Sequence, residues 1–129
     1  MSRPAERRRA LGDAGEKHAR RFLEARGLTF LAGNWRSSVG EVDLVMHDAK
    51  ADEVVFVEVK TRRGEASGRA EESVSAAQAR RLLATGEAYL ETRPDLADLV
   101  WRIDLVAITL GTGGRVEAVA HHPNALGEW

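Results

Sequence analysis

Glu58 and Lys60 are the residues of this chain whose types and spacing could do chemistry: an acid and an ammonium two positions apart, ending an otherwise apolar run. The segment from Val54 to Thr61 holds no Gly or Pro and is rich in β-branched residues, which predicts a strand. Alternate residues of a strand share a face, so Val55, Val57 and Val59 form one side, and Val54, Phe56, Glu58 and Lys60 form the other. A strand apolar on both sides is normally covered on both sides. Charges there are costly unless they pair with each other, bind a metal, or sit at the lip of a cleft. Lys60 is one of three lysines among nineteen basic residues. Lysine, unlike arginine, can have its pKa tuned by its surroundings.

The elements around this strand decide what can meet it. Gly40 to His47 alternates, with Val42, Leu44 and Met46 on one face and Glu41, Asp43 and Val45 on the other. The polar run from Asp48 to Asp52 turns the chain into the central strand, so the two form an antiparallel hairpin. The hairpin carries Asp43 towards Glu58 and Lys60, with Glu41 as a second acid on the same face. Upstream, Ala5 to Arg26 reads as a helix with Leu11, Ala14, Ala19, Phe22 and Leu23 at helical spacing, weakened by Gly12 and Gly15 and stopped by Gly27. Glu16 falls at the edge of its apolar stripe, placed either to lean over the sheet or to pair with Arg20 one turn on. Leu28 to Leu31 is a short strand, and Ala32 to Ser38 a polar connection. In that connection Trp35 beside Arg36 either closes an edge of the core or stacks on an unpaired base.

Beyond the central strand, Arg62 to Ala70 reads as a loop carrying Arg62, Arg63 and Arg69, able to ride over a phosphate backbone or simply solvated. Ser75 to Thr92 reads as a helix with Ala79, Leu82, Leu83, Gly86 and Leu90 on its apolar face. Gln78 either completes a capping box with Ser75 or, with Arg80 or Arg81, reaches the cleft of Lys60. Leu99 to Leu110 is a long apolar strand whose Arg102 and Asp104 share a face and read as an ion pair. A Gly-rich turn then leads to a last strand, Arg115 to His121. The adjacent His121 and His122 point to opposite sides of that strand and read as a solvated pair.

With 129 residues the chain reads as one domain over 1–129, long enough to bury a core. It lacks cysteine, which excludes disulfides and thiolate zinc sites. No apolar run reaches the length of a membrane span, so a soluble, cytoplasmic protein is expected. The net charge of -1 hides an asymmetry: residues 1–39 hold nine Lys or Arg against four Asp or Glu, and the remainder is acidic. That split suits a polyanion-binding face beside an acidic site, and equally a solvated basic helix.

The order helix, strand, strand, strand, helix, strand, with Asp43 on the second strand and Glu58-Val59-Lys60 on the third, resembles the nucleases of restriction-endonuclease-like fold. Their motif is an Asp followed by Asp or Glu, any residue, and Lys. Val42 stands where that motif's name expects Pro. The chain is more closely similar to the YraN-like bacterial proteins, which are related in fold to archaeal Holliday-junction resolvases. The segments that carry this likeness are Gly15-Glu16 with Ala19, Asn34-Trp35-Arg36, Gly40 to Val45, Phe56 to Arg62, Gln78 with Arg80-Arg81, Arg102-Ile103-Asp104, and Asn124-Ala125.

The resemblance implies an α/β fold with an αβββαβ core, a central mixed sheet flanked by helices, and an extra C-terminal strand. It implies a Mg²⁺-dependent (or Mn²⁺-dependent) DNA endonuclease or structure-specific nuclease that hydrolyses phosphodiester bonds. Asp43, Glu58 and Lys60 would be catalytic, and Asp43 and Glu58 would hold the metal, with Glu16 as an auxiliary carboxylate and the Val59 carbonyl as a further candidate. Arg36, Arg62, Arg63, Gln78 and Arg81 would contact nucleic acid. A homodimer would present two such sites to a two-fold junction. The alternative is a non-catalytic module that keeps the fold and binds nucleic acid or a protein partner.

Overall fold

The computed structural model describes residues 4–63 and 75–125, with side chains from Gly12 onward. Among these residues five strands form one sheet in the order β1-β2-β3-β4-β5, with two helices. The elements are α1 (Pro4–Ala25), β1 (Leu28–Ser37), β2 (Gly40–Asp48), β3 (Glu53–Arg63), α2 (Ala76–Glu91), β4 (Val100–Leu110) and β5 (Val116–His122). This is the expected αβββαβ order with one added strand. The β3–β4 pair is parallel, with α2 in the crossover between them, and the remaining pairs are antiparallel, which makes the sheet mixed. No described helix is long and apolar enough to cross a membrane.

β3 is the middle strand, and both its faces are covered as its pattern requires. Val55 and Val57 join Ala19 and Leu23 of α1, together with Leu44, Met46, Val106 and Ile108. Val54 and Phe56 join Leu82, Tyr89 and Leu90 of α2, with Val45 and Ile103. Phe56 is the hub of this second layer, with its ring edge-to-face against Tyr89 at 5.8 Å and Trp101 at 5.2 Å. Gly86 lets α2 descend onto that pair, since a Cβ there would lie 2.9 Å from the Trp101 ring.

Gly15 does the same for α1. It weakens the helix locally, but a Cβ at this position would overlap the Thr61 hydroxyl and stand 3.1 Å from the Thr61 Cβ. The glycine therefore sets how closely α1 crosses β3 beside Lys60. Gly15→Ala is expected to cost roughly 1–3 kcal/mol by overpacking. Thr61→Ala in the same chain should restore part of that loss in a thermal-unfolding double-mutant cycle.

Three expectations are corrected. β1 does not stop at Leu31 but continues through Asn34, Trp35 and Arg36 to Ser37, pairing Trp35 with Val42 and Arg36 with Glu41. Its polar composition suits a sheet edge, and a bulge between Phe30 and Ala32 absorbs the irregularity. Arg62 and Arg63 belong to β3, where they pair with Thr109 and Leu110, and not to the following loop. Residues 64–74, including Arg69, lie outside the described residues. Finally, Val42 packs with Val45 on the α2 side, whereas Leu44 and Met46 pack on the α1 side. The simple alternation of β2 thus breaks around Asp43.

Candidate functional site

The break in alternation coincides with the end of a ladder. β2 and β3 pair from Asp48–Glu53 as far as Leu44–Val57, while β3 stays paired with β4 up to Arg63–Leu110. The two hairpin strands therefore splay at Asp43. Its carboxylate Oδ2 takes the place of the missing ladder acceptor, receiving the Val59 N–H at 2.7 Å. The N–H and C=O of a strand residue face the same neighbour, so the Val59 carbonyl belongs to the same notch.

On the α2 side of β3, Glu58 Oε1 accepts from the Gln78 side-chain amide at 3.2 Å and lies 3.4 Å from Lys60 Nζ. Of the two alternatives for the Gln78 side chain, the structure realises the reach into the cleft and not the capping box. Its backbone N–H is capped by Ser75 Oγ at 3.1 Å, which starts α2, and its side chain reaches the site. From α1, Glu16 hydrogen-bonds to both Asn34 and Asp43. The expected pairing with Arg20 is not made. Arg20 instead pairs with Glu24 at 3.4 Å, because the Glu16 position at the edge of the buried stripe points it at the sheet.

Three elements thus bring three carboxyl groups together, and their electrostatics follow from that crowding. Burial, and then the charge of Asp43, push the Glu58 carboxyl up to about 7, against the opposing pull of Lys60. Burial and the Asp43 charge likewise raise Glu16 to about 7. Asp43 is raised by burial, with the Val59 N–H and Lys60 acting the other way and Glu41 adding to the rise. The cluster therefore retains protons near neutral pH, and a divalent cation would displace them.

The donor set fits a hard cation: half-buried carboxylates that repel one another, in contact with a cleft of about 240 Å³ lined among others by Glu41, Asp43, Glu58, Gln78 and Arg81. Among the described residues no three His, Asp or Glu side chains form a ready-made cage. Mg²⁺ does not need one, since it keeps several waters and is held by one or two carboxylates plus substrate oxygen.

The remaining candidates separate. Arg81 is exposed and lines the cleft. Arg62 and Arg63 lie at the end of β3, just beyond Lys60. Arg36 is 75% exposed and pairs with Glu41 at 3.3 Å across the β1–β2 edge. Trp35 closes an edge of the α2-side core: it is partly buried, and its ring packs edge-to-face on Tyr89 at 5.4 Å.

Asn34 is the site residue that sequence reasoning missed as such. It sits in β1 with φ of 49°, a left-handed conformation that Asn tolerates better than most side chains, and this places it beside Glu16. An Asn within a polar stretch after a helix carrying a misplaced carboxylate was the available signal.

A second polar cluster lies towards the other end of β3. Asp104 is fully buried and accepts from Arg102 at 3.0 Å, His121 Nε2 at 2.8 Å and the Asn124 N–H at 2.9 Å. Arg102 also reaches Asp48 and Glu53, both at 3.1 Å. The anticipated Arg102–Asp104 pair is present, but His121 is not solvated: its side chain is 5% exposed, and Arg26 donates to its Nδ1 at 3.2 Å. The network fastens the β2–β3 turn, β4 and β5 together and faces none of the Asp43 cleft.

The model of one protein family, described as uncharacterised protein family UPF0102, matches residues 15–108, a span that includes Glu16, Asn34, Asp43, Glu58, Lys60 and Gln78. A UPF0102 protein of Roseiflexus castenholzii is 44% identical over 95% of this chain and 97% of its own length. One from Chloroflexus aurantiacus is 41% identical over 94% and 96%, respectively. A third, from Pelotomaculum thermopropionicum, is 37% identical over 95% and 99%. With its matched span covering both halves of the splayed hairpin, the chain belongs to the UPF0102 family, the YraN-like proteins that its motifs resemble.

Proposed function

We propose that the protein is a Mg²⁺- or Mn²⁺-dependent DNA endonuclease acting on branched or otherwise irregular DNA. The observation that carries this reading is the meeting of Asp43, Glu58 and Lys60 at the point where β2 leaves β3, with Gln78 and Arg81 across the cleft. Asp43 and Glu58 would hold the cation, with Glu16 steadying Asp43 from α1. A bound Mg²⁺ supplies an acidified water and a Lewis acid for the scissile phosphate. Lys60 orients the attacking water and offsets charge that builds on the phosphate. Gln78 fixes the Glu58 rotamer, and Arg81, with Arg62 and Arg63 further along, positions the backbone.

The test is incubation of the protein with branched, single-stranded and duplex DNA, with and without Mg²⁺ or Mn²⁺, beside Lys60→Ala and Asp43→Asn. Metal-dependent cleavage is expected, lowered roughly 10²–10³-fold by Lys60→Ala and more by Asp43→Asn. Cleavage that persists unchanged in Lys60→Ala would overturn the assignment.

One observation favours a non-catalytic nucleic-acid-binding module instead. Glu58 and Asp43 already have partners in Lys60, Gln78 and the Val59 N–H, so the cluster is satisfied without a metal. That reading predicts DNA retention that weakens steeply with salt and no cleavage in any divalent cation.

A further inference from the structure

A second, larger cleft opens on the other side of Glu16. It measures about 360 Å³ and lies between α1 and the β1–β2 pair, lined among others by Asp13, Glu16, Lys17, Arg20, Phe30 and Asn34. The volume falls in the range of pockets that take small organic ligands, roughly 300–1,000 Å³. Its chemistry is specific. The Arg20 guanidinium lies 3.6 Å above the centroid of the Phe30 ring, so one wall is a cation–aromatic pair, built to stack a planar group. Asn34 and the carboxyl groups of Asp13 and Glu16 offer an amide and several acceptors, the complement of a nucleobase edge with its ring nitrogens and exocyclic amino group. The same carboxylates make the cleft a poor seat for phosphate. Cations that suit a phosphate stand on the outer side instead, where Lys17, Arg20 and Arg21 line a groove along α1 together with Glu24. Glu16 joins the two clefts, because it lines this one and hydrogen-bonds to Asp43, which lines the other.

We propose that this cleft seats one unpaired nucleobase of a DNA strand, stacked on Arg20, with the adjoining phosphate against Lys17 and Arg21 and the strand leading on towards the Asp43–Glu58 notch. The identity of the ligand as DNA rests on the nuclease reading. The cleft deepens that reading by naming what makes the DNA irregular: a base free to leave the stack. Unpaired bases are read by stacking on aromatic and guanidinium planes and by hydrogen bonds to their edges, which a duplex hides.

The experiment measures binding without cleavage, in metal-free buffer. A short duplex carrying one extrahelical aminopurine, a fluorescent adenine analogue, is compared with the same duplex fully paired. The bulged duplex is expected to bind about tenfold or more tightly, the size of one base-stacking contact, with fluorescence quenched on binding. Arg20→Lys keeps the charge and removes the planar fork, and Asn34→Gly keeps the backbone conformation and removes the amide. Each should reduce the preference several-fold, and Arg20→Lys should leave affinity for the paired duplex within about twofold.

Equal affinity for bulged and paired duplexes overturns the proposal, as does a preference untouched by both variants, since the base then sits elsewhere. Preference and quenching that depend on Arg20 and Asn34, together with no cleavage in any divalent cation, would leave the base cleft standing and remove the nuclease reading. Binding to neither duplex overturns the base cleft, and the cleavage assay with Mg²⁺ or Mn²⁺ then decides the nuclease reading by itself.

Discussion

Glu58→Gln is expected to make the metal-free protein more stable at pH 8 while abolishing metal-dependent cleavage. Burial and the Asp43 charge raise the Glu58 carboxyl from an ordinary 4.5 to about 7. Between those values the folded state holds a proton that the unfolded state has lost, so stability falls as pH rises through that window. Below the ordinary value both states are protonated and the group contributes no slope. Above about 7 the folded protein carries a buried charge that the unfolded chain keeps in water. Glutamine retains an oxygen for the Gln78 amide and for Lys60, and it cannot ionise. The variant should therefore match the parent near pH 4 and exceed it by on the order of 1–3 kcal/mol at pH 8, given about 1.4 kcal/mol per pKa unit. Thermal unfolding across pH reads the difference. Addition of Mg²⁺ should raise the parent's melting temperature at pH 8 and leave the variant's unmoved, because a ligand that binds only the folded state stabilises it by mass action. Parallel pH profiles for the two proteins would contradict the account.

Asp104→Ala should produce the largest loss of stability, with no direct effect on the notch. Burial alone would raise this carboxyl, but hydrogen bonds from His121, Arg102 and the Asn124 N–H outweigh it and hold the group below the usual carboxylate range. Its contribution is thus present above the unfolded-state value and lost as pH falls through the lowered folded value. Removing it strands a mostly buried guanidinium, an imidazole and a backbone donor at once. Breaking such a buried pair costs roughly 3–5 kcal/mol, moderated here by the contacts of Arg102 with Asp48 and Glu53. The melting temperature should drop by roughly 10 °C or more, and Asp104→Asn, which keeps one acceptor, should fall between. Binding of DNA, measured well below the melting point, should stay near the parent's. A loss of binding equal to that of Asp43→Asn would show that the network supports the site directly.

The two faces of β3 were legible because a period of two needs nothing beyond the chain itself: Val55 and Val57 against α1, Val54 and Phe56 against α2. The Arg102–Asp104 pair was legible for the same reason. What escaped depends on contacts distant in sequence. β1 looked like a loop after Leu31 because an edge strand needs few apolar residues, and its polar stretch is ordered by pairing with β2. Val42 fell on the wrong face because alternation assumes an unbroken ladder, whereas the strand leaves its partner at Asp43. Gly15 reads as a helix defect in the sequence because its reason, the Thr61 side chain opposite it, comes from a strand distant in the chain. For Glu16, the wheel correctly placed the residue at the edge of the buried stripe. The choice between Arg20 and the sheet was decided by Asn34 and Asp43, which no helical spacing encodes.

The unequal lengths of the two ladders flanking β3 make the notch a gauge of fixed opening. One jaw, carrying Glu58 and Lys60, is clamped along its full length by β4. The other, carrying Asp43, leaves β3 after Leu44 but stays paired with β1 as far as Gly40, and its Val42 is buried with Phe56. One bond from the Val59 N–H to Asp43 spans the opening. A change in the spacing between the carboxylates has to carry β1 and Val42 with it, so the packed core sets the radius of cation that the notch can hold.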